Sequence, residues 1–242
     1  MSFKSETNKQ LMVYYEKQGI NKTLAMATQL LKANTHKDNK VFHAHVHGEI
    51  CETVLECMVL DYMRKNPIQT KNWFYHKGLI IKDINNPNSG YFTELDFVLC
   101  TPQQLFAFEC KSYGGDKKLV DKCTIKKKKG GSFDVYGQHD RHVEVLSNQL
   151  NAFRFKERKE IKAYTLALFN FSLGATEDCR EPMYKEFMPC IEPSNLYELL
   201  RKYKNYPEIW DMSNLHKAIE IIAKRETKNS KKHLEYVKQL KH

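Results

Sequence analysis

The chain has 242 residues, 41% of them hydrophobic and 12% aromatic, which is enough apolar material for a buried core and excludes a disordered or collagen-like chain. No apolar run approaches the roughly 18 residues that a membrane span needs, and the first residues lack the apolar stretch of a signal peptide. We therefore expect a cytoplasmic protein that makes no contact with a membrane. The formal net charge of +10 indicates a polyanionic partner without identifying it.

The positive charge is concentrated in two short segments. Residues 111–129 carry a net charge of +6 and residues 224–242 carry +5, whereas residues 1–110 carry only +1. Taken alone, each lysine-rich segment is more typical of a solvated loop or a frayed tail than of a binding surface. The charge therefore needs a second observation before it indicates a function.

The N-terminal third of the chain is predicted to be helical. Apolar spacing indicates helices over residues 5–18 and 21–33, with Asn21 as the cap of the second. A longer helix is expected over residues 48–64, because apolar side chains recur there at every fourth position. These side chains are Ile50, Val54, Met58 and Tyr62.

The rest of the chain alternates between predicted strands and helices. Three strands come first, then the lysine-rich segment, a helix, two strands and two helices. The strands are expected over residues 78–83, 91–100, 105–112, 163–171 and 187–191, and the helices over residues 143–160, from 193 through Leu200, and over residues 214–240. This order predicts an α/β fold with one mixed central sheet flanked by helices.

A hairpin between the second and third strands carries the most informative residues. Pro102 suits the second position of a type I turn from Thr101 to Gln104. If Thr101 faces Gln104, then Asp96 lies directly opposite Glu109 on the paired strand, and both share one face with Lys111. One face of the hairpin would then pack into the core, and the other would carry the charged side chains of Asp96, Glu109 and Lys111.

Two opposed carboxylates repel each other unless a cation lies between them. Asp96 and Glu109 supply the hard oxygen ligands that suit Mg²⁺ or Mn²⁺, and Lys111 on the same face could hold a water or stabilise a phosphoryl transition state. An alternative stays open: Glu94 and Lys111 form an ordinary cross-strand ion pair, while Asp96 and Glu109 are solvated at the edge of the sheet.

The order Asp96, then Glu109-x-Lys111 after a short hairpin, resembles the catalytic signature of the PD-(D/E)XK nuclease superfamily. The stretch from Phe108 to Gly115 resembles the core motif of its nuclease-related domain (NERD) branch. Gly48-Glu49 on the preceding helix and Gln149 on a following helix fall in the family's order. The resemblance covers about residues 45–204, and Leu95 replaces the proline of the superfamily name.

The resemblance implies a restriction-endonuclease-like core over residues 45–205, with a helical extension over residues 1–44 and a basic helical extension over residues 206–242. It implies that Asp96, Glu109 and the backbone carbonyl of Cys110 bind one divalent ion, with Glu49 contributing directly or through water.

In the same picture Lys111 positions or deprotonates a water, and Gln149 orients the site or the DNA backbone. Glu49, Glu52 and Glu56 form one acidic stripe on their helix, so Glu49 could also belong to a wet face, and Glu52 remains an alternative to it.

Two groups of histidines are further candidate ligands. His43, His45 and His47 alternate, so in an extended segment they would share a face and could hold zinc or nickel, although a polar approach segment is the favoured interpretation. His139 and His142 could touch phosphate or a base, and a surface role is expected for both. The two glycine pairs, Gly114-Gly115 and Gly130-Gly131, lack the Walker pattern of a phosphate-binding loop.

Charge and motif together predict a Mg²⁺- or Mn²⁺-dependent nuclease that hydrolyses phosphodiester bonds in DNA rather than RNA. The alternative is a nucleic-acid-binding module that keeps the nuclease fold without cleaving. A homodimer is compatible with the sequence. The residues expected to contact nucleic acid are Lys117, Lys118, Lys126, Lys127, Lys128 and Lys129.

Overall fold

The computed structural model describes residues 4–34, 40–83, 92–128, 130–151 and 164–224, with only the helical backbone described for residues 4–6 and 40–45. The helices are α1 Lys4–Gln18, α2 Ile20–Asn34, α3 Lys40–Lys65, α4 Val135–Asn151, α5 Pro182–Phe187, α6 Leu196–Lys202 and α7 Met212–Lys224, and a 3-10 turn spans Tyr203–Asn205. The strands are β1 Phe74–Lys82, β2 Phe92–Cys100, β3 Leu105–Lys111, β4 Lys117–Val120, β5 Thr124–Lys127, β6 Ser132–Asp134, β7 Tyr164–Asn170, β8 Thr176–Asp178 and β9 Cys190–Ile191. Within these ranges, none of the helices is both long and apolar enough to cross a bilayer.

The strands form two mixed sheets. The larger has the order β1-β2-β3-β7-β9, with β1–β2 and β2–β3 antiparallel and β7–β9 parallel. The smaller has the order β6-β5-β4-β8, in which only β4–β8 is parallel. The predicted α/β class is therefore confirmed, and the architecture is consistent with a restriction-endonuclease-like core.

The chain forms two compact units. The first contains Met1–Lys71, Cys110–Val135 and Ala167–Lys202, and the second contains Asn72–Glu109, Tyr136–Leu166 and Tyr203–His242. The division of the chain at residues 44 and 205 stays a prediction.

In the first unit, helices α1, α2 and α3 pack against one another. The face of α3 predicted to be apolar, which carries Ile50, Val54, Met58 and Tyr62, is buried. The predicted cap of α2 is wrong, because α2 begins at Ile20 and Asn21 lies inside its first turn. Gly19 separates α1 from α2 with a φ of 76°, a left-handed conformation that suits glycine.

The lysine-rich segment is the main departure from the predicted elements. A solvated loop was favoured for residues 111–129 taken alone, yet this stretch contains β4 and β5 of the smaller sheet. Leu119 and Ile125 are buried and face each other across the two strands. Their burial drives strand formation. The neighbouring lysines leave too few apolar residues in the sequence to give the alternating pattern of a strand.

The C-terminal half contains the predicted elements in order with shifted boundaries, and it adds strand β8 and helix α5, which the sequence did not predict. Helix α4 begins at Val135, eight residues before the predicted start, and Phe187 ends the short helix α5 rather than opening a strand. The predicted continuations of two helices, over residues 152–160 and 225–240, lie outside the described residues. Helix α7 buries Leu215, Ala218, Ile219 and Ile222, and its His216 ring makes an edge contact with Phe74 of β1.

Candidate metal centre and its surroundings

The hairpin of β2 and β3 has the predicted register. Cys100 pairs with Leu105, and the pairing continues without a slip to Phe97 opposite Phe108. The backbone N–H of Thr101 donates to the Gln104 oxygen at 2.9 Å, and the Gln104 N–H donates to Thr101 Oγ1 at 2.9 Å, which closes the turn. The next positions in this register are Asp96, which precedes Phe97, and Glu109, which follows Phe108.

Glu109 is deeply buried. Its exposed fraction is 1%, and its strand β3 is the middle strand of the larger sheet, with neighbours on both sides. The alternative that placed Glu109 in solvent at a sheet edge is therefore wrong. A buried carboxylate is costly unless a cation or hydrogen bonds compensate it, so its surroundings define what this position can do.

Two histidines of α4 converge on this carboxylate. Nδ1 of His139 and Nδ1 of His142 each lie 3.5 Å from Oε2 of Glu109. The exposed fractions of His139 and His142 are 0% and 8%, so the expected surface role of both is wrong. Their spacing of three residues puts them on one side of the helix, which turns both rings toward β3. The three side chains offer one ligand atom each, and all three atoms lie within 4.8 Å of one another.

The backbone of β3 orients one of the rings. Nε2 of His139 lies 2.8 Å from the backbone oxygen of Ala107. A carbonyl oxygen only accepts, so Nε2 carries the hydrogen, and the lone pair of a neutral ring is then on Nδ1, the atom that faces Glu109. Metal-bound histidines in proteins usually donate their other N–H to a carboxylate, a backbone carbonyl or water, and Ala107 is a partner of this kind.

The other predicted residues of the second unit occupy different positions. Asp96 is half-buried on β2. The Gln149 side chain is buried and donates through Nε2 to the backbone oxygen of Lys82 at 2.9 Å, which ties α4 to the end of β1. Gln149 is seven residues beyond His142, or roughly 10 Å along the helix axis. The contact that the structure gives Gln149 is thus a positioning contact on the helix that carries both histidines.

The first unit holds the remaining predicted residues. Lys111 ends β3 half-buried, and its backbone oxygen accepts from Cys51 Sγ at 3.5 Å and from the N–H of Phe171 at 3.2 Å. Helix α3 is therefore packed at the end of β3. Glu49 on this helix has an exposed fraction of 1% and does not lie on a wet face, whereas Glu52 is half-buried.

The shared face proposed for His43, His45 and His47 is wrong. All three positions belong to helix α3, which begins at Lys40, whereas the shared face required an extended segment. Residues two apart in a helix point about 200° away from each other, so His45 lies on the side opposite to the His43 and His47 positions, which are four apart. Of the three, only the His47 side chain falls within the described part, and it is buried.

The predicted nucleic-acid-binding lysines cluster on the smaller sheet, apart from Lys129, which lies outside the described residues. Lys117 is opposite Lys127, and Lys118 is opposite Lys126. Like charges directly opposed across strands repel one another. The two lysine pairs therefore make this hairpin a region of positive electrostatic potential. A surface pocket is lined by Asp116, Lys117, Lys118, Lys126, Lys127, Lys128, Ala175 and Glu177.

Several of these lysines already have partners. Lys118 Nζ lies 2.8 Å from a Glu177 carboxylate oxygen, and Lys128 Nζ lies 3.9 Å from Asp116. Lys127 Nζ sits 4.5 Å from the centre of the Tyr113 ring, a cation–π distance. Lys117 is buried, and burial lowers the pKa of its ammonium group, although Glu192 acts in the opposite direction. Lys118, Lys126 and Lys128 are the exposed members of the set, and Lys118 is the one paired with Glu177 at 2.8 Å.

One feature of the sequence points to the histidine cluster. His139 and His142 have the i, i+3 spacing of residues on one helical face, but the predicted helix began only at residue 143. With the helix beginning at Val135, both rings fall on the same side, next to the buried Val143 and Leu146. Their contact with Glu109 depends on how α4 packs on β3, which is tertiary information.

Comparison with known families supports the motif. Residues 52–170 match the model of the nuclease-related domain family, NERD. The matched range contains Asp96, Glu109 and Lys111 and begins three residues after Glu49. The predicted resemblance is therefore confirmed over these residues, and it implies a nuclease-related fold. Neither a curated protein nor a solved structure matches the chain significantly.

Proposed function

We propose that this protein is a metal-dependent nuclease that hydrolyses phosphodiester bonds in DNA in the cytoplasm. The observation that carries the proposal is the convergence of His139 and His142 on the buried Glu109, within the segment that matches the nuclease-related domain. Three buried side chains with ligand atoms this close form a donor set that fits a divalent ion.

The carboxylate of Glu109 would hold the ion together with the two imidazoles. The ligand roles predicted for Asp96, Glu49 and the Cys110 carbonyl stay predictions. A bound divalent ion supplies Lewis-acid activation of a water and neutralises charge on the phosphate. We assign Mg²⁺ or Mn²⁺ to this role on the basis of the family resemblance.

The chain's own side chains would do the rest. Lys111 is two residues after Glu109 on the same face of β3. As an ammonium group its Nζ would position the attacking water or stabilise the developing charge on the phosphate oxygens, and as a neutral amine it would take the proton of that water. Gln149, through its bond to Lys82, would position α4 and thereby the two rings. A residue that keeps its partner in place in this way acts through geometry, not through the reacting atoms.

The proposal is tested by a cleavage assay on plasmid and linear DNA with Mg²⁺ or Mn²⁺. Wild type should cut, and Asp96→Ala and Lys111→Ala should each cut at least about 100-fold more slowly, because each removes a charge that acts in the transition state. Thermal unfolding of both variants controls for folding. Cleavage by both variants at the wild-type rate would remove the catalytic assignment.

The lysines of the β4–β5 hairpin would contact the DNA backbone. Replacing Lys126 and Lys128 together by glutamine should lower the slope of log affinity against log salt by roughly 2, because each phosphate contact contributes about 0.9. Fluorescence anisotropy with labelled duplex DNA and no divalent ion measures the slope.

A matched control for this pair replaces two exposed lysines outside the hairpin. Lys71→Gln with Lys204→Gln removes the same charge and should leave the slope within about 0.5 of wild type. Equal effects of the two double variants would show that only net charge matters. In that case the hairpin would not be the DNA-binding surface.

A second candidate function is a nucleic-acid-binding module that does not cleave. The cross-strand lysine pairs favour it, because they provide an anion-binding surface that needs no metal. Salt-dependent retention of DNA that survives Asp96→Ala, with no cleavage by wild type, would support this candidate over the nuclease.

A further inference from the structure

We infer that Glu109, His139 and His142 form a site for a first-row transition-metal ion, such as Mn²⁺, Co²⁺ or Zn²⁺, which binds there in preference to Mg²⁺. The inference deepens the proposed function by naming the class of metal. It rests on the geometry of three side chains, and it would hold for a protein that binds the ion without cleaving DNA.

The spacing of the ligand atoms fits one ion. Each histidine Nδ1 lies 3.5 Å from Oε2 of Glu109. Nitrogen and oxygen ligands lie about 2.1 Å from Zn²⁺, so two ligands of one tetrahedral ion are roughly 3.4 Å apart. The observed separation of each Nδ1 atom from Oε2 is close to this value, and all three ligand atoms lie within 4.8 Å of one another.

The same separation does not fit hydrogen bonds between the groups. A charge-assisted N–H to carboxylate hydrogen bond has a length of about 2.7–2.9 Å, well below 3.5 Å. Neither Nδ1 atom of His139 and His142 has a hydrogen-bond partner within the described residues, although both are buried. Buried polar atoms in proteins are almost always satisfied, and an ion held between them would satisfy both rings at once.

The tautomer of His139 is set for a ligand. Its Nε2–H donates to Ala107, so a neutral ring directs its Nδ1 lone pair toward Oε2 of Glu109. A lone pair facing a carboxylate oxygen is repulsive until a cation lies between them. The Ala107 carbonyl also fixes the plane of the ring, as the outer partners of metal-bound histidines do.

The donor set decides which metals the site accepts. Mg²⁺ prefers oxygen ligands in a nearly octahedral arrangement and rarely takes imidazole, whereas Mn²⁺, Co²⁺ and Zn²⁺ accept mixed nitrogen and oxygen ligands. Two of the three ligands here are imidazoles. Transition ions should therefore bind more tightly than Mg²⁺, by at least about tenfold.

The test measures binding, not cleavage. Metal-free wild type is titrated with Mn²⁺ and with Mg²⁺ by calorimetry, and with Co²⁺ by visible absorption, which reports nitrogen coordination. We expect one transition ion per chain, bound at least about tenfold more tightly than Mg²⁺ and with at least a tenfold loss in His142→Asn. His216→Asn, which changes a half-exposed histidine of α7, is the matched control and should bind like wild type.

Several results would overturn the inference. These are no bound ion, equal affinity for Mn²⁺ and Mg²⁺, or unchanged affinity in His142→Asn. If His142→Asn does not fold, the Co²⁺ spectrum of wild type decides, since the absence of nitrogen coordination would contradict the site. Lys111→Ala separates the two proposals, because it should keep metal affinity while losing cleavage.

Discussion

Replacing Glu109 by glutamine is expected to lower the rate of DNA cleavage by at least about 100-fold. The substitution keeps the shape of the side chain but removes the negative charge that faces His139 and His142. Loss of an outer partner of a metal ligand typically costs 10–100-fold in activity, and a ligand itself should cost at least as much. Single-turnover cleavage with saturating DNA and Mn²⁺ measures this rate.

A matched control for this change is available on the neighbouring strand. Glu94 of β2 is also a carboxylate on the larger sheet, and it is half-buried. Glu94→Gln should cleave within about threefold of wild type, because its carboxylate belongs neither to the three-residue cluster nor to the predicted catalytic set that includes Asp96. If Glu109→Gln cleaved as fast as Glu94→Gln while remaining folded, Glu109 would have no catalytic role.

Replacing Arg180 by methionine is expected to lower the free energy of unfolding by about 3–5 kcal/mol. Arg180 is only 3% exposed, and its Nε and Nη2 donate to the two oxygens of Asp178 at 2.9 Å and 2.7 Å. Its Nη1 donates to the backbone oxygens of Met188 at 2.7 Å and Lys122 at 3.3 Å. Losing one partner of such a pair leaves buried polar groups unsatisfied. Urea unfolding followed by circular dichroism measures the change.

The Arg180–Asp178 pair should also make the free energy of unfolding depend on pH in the acidic range. Burial raises the pKa of Asp178, but the hydrogen bonds and charge of Arg180 outweigh it, so the net pKa is lowered. A lowered pKa in the folded state stabilises the protein above the unfolded-state pKa of about 3.9, and this stabilisation is lost as the pH falls below that value.

Arg201→Gln is the control for Arg180→Met. Arg201 is exposed, and its Nε donates one hydrogen bond to the backbone oxygen of Tyr197 at 3.2 Å. Replacing it should therefore lower the free energy of unfolding by under about 1 kcal/mol. An Arg180 variant no less stable than the Arg201 variant would show that the pair of buried Arg180 and half-buried Asp178 does not hold this part of the fold.

The local features of the fold could be predicted from the sequence. Pro102 and the alternation around it predicted the hairpin and its register, because turn chemistry and strand pairing act over a few residues. The buried face of α3 followed from apolar spacing. The strands β4 and β5 could not be found this way, since their buried side chains Leu119 and Ile125 are outnumbered by the lysines of the same strands.

The candidate site was predicted only in part. The motif identified Glu109, but nothing local indicates that His139 and His142 lie against it. The run from Gln138 to Arg141 has no apolar periodicity, so the start of α4 was missed. The contact of α4 with β3 brings together residues about thirty positions apart, and such contacts depend on the packing of the whole core.

The most direct measurement is cleavage of plasmid DNA by the wild-type protein after chelation of all metal and after each divalent ion is added back. The account predicts intact plasmid in the metal-free sample, nicked or linear product when Mn²⁺ is restored, and arrest when chelator is added again. Cleavage that continues without metal, or intact DNA with every divalent ion tested on folded protein, would contradict it.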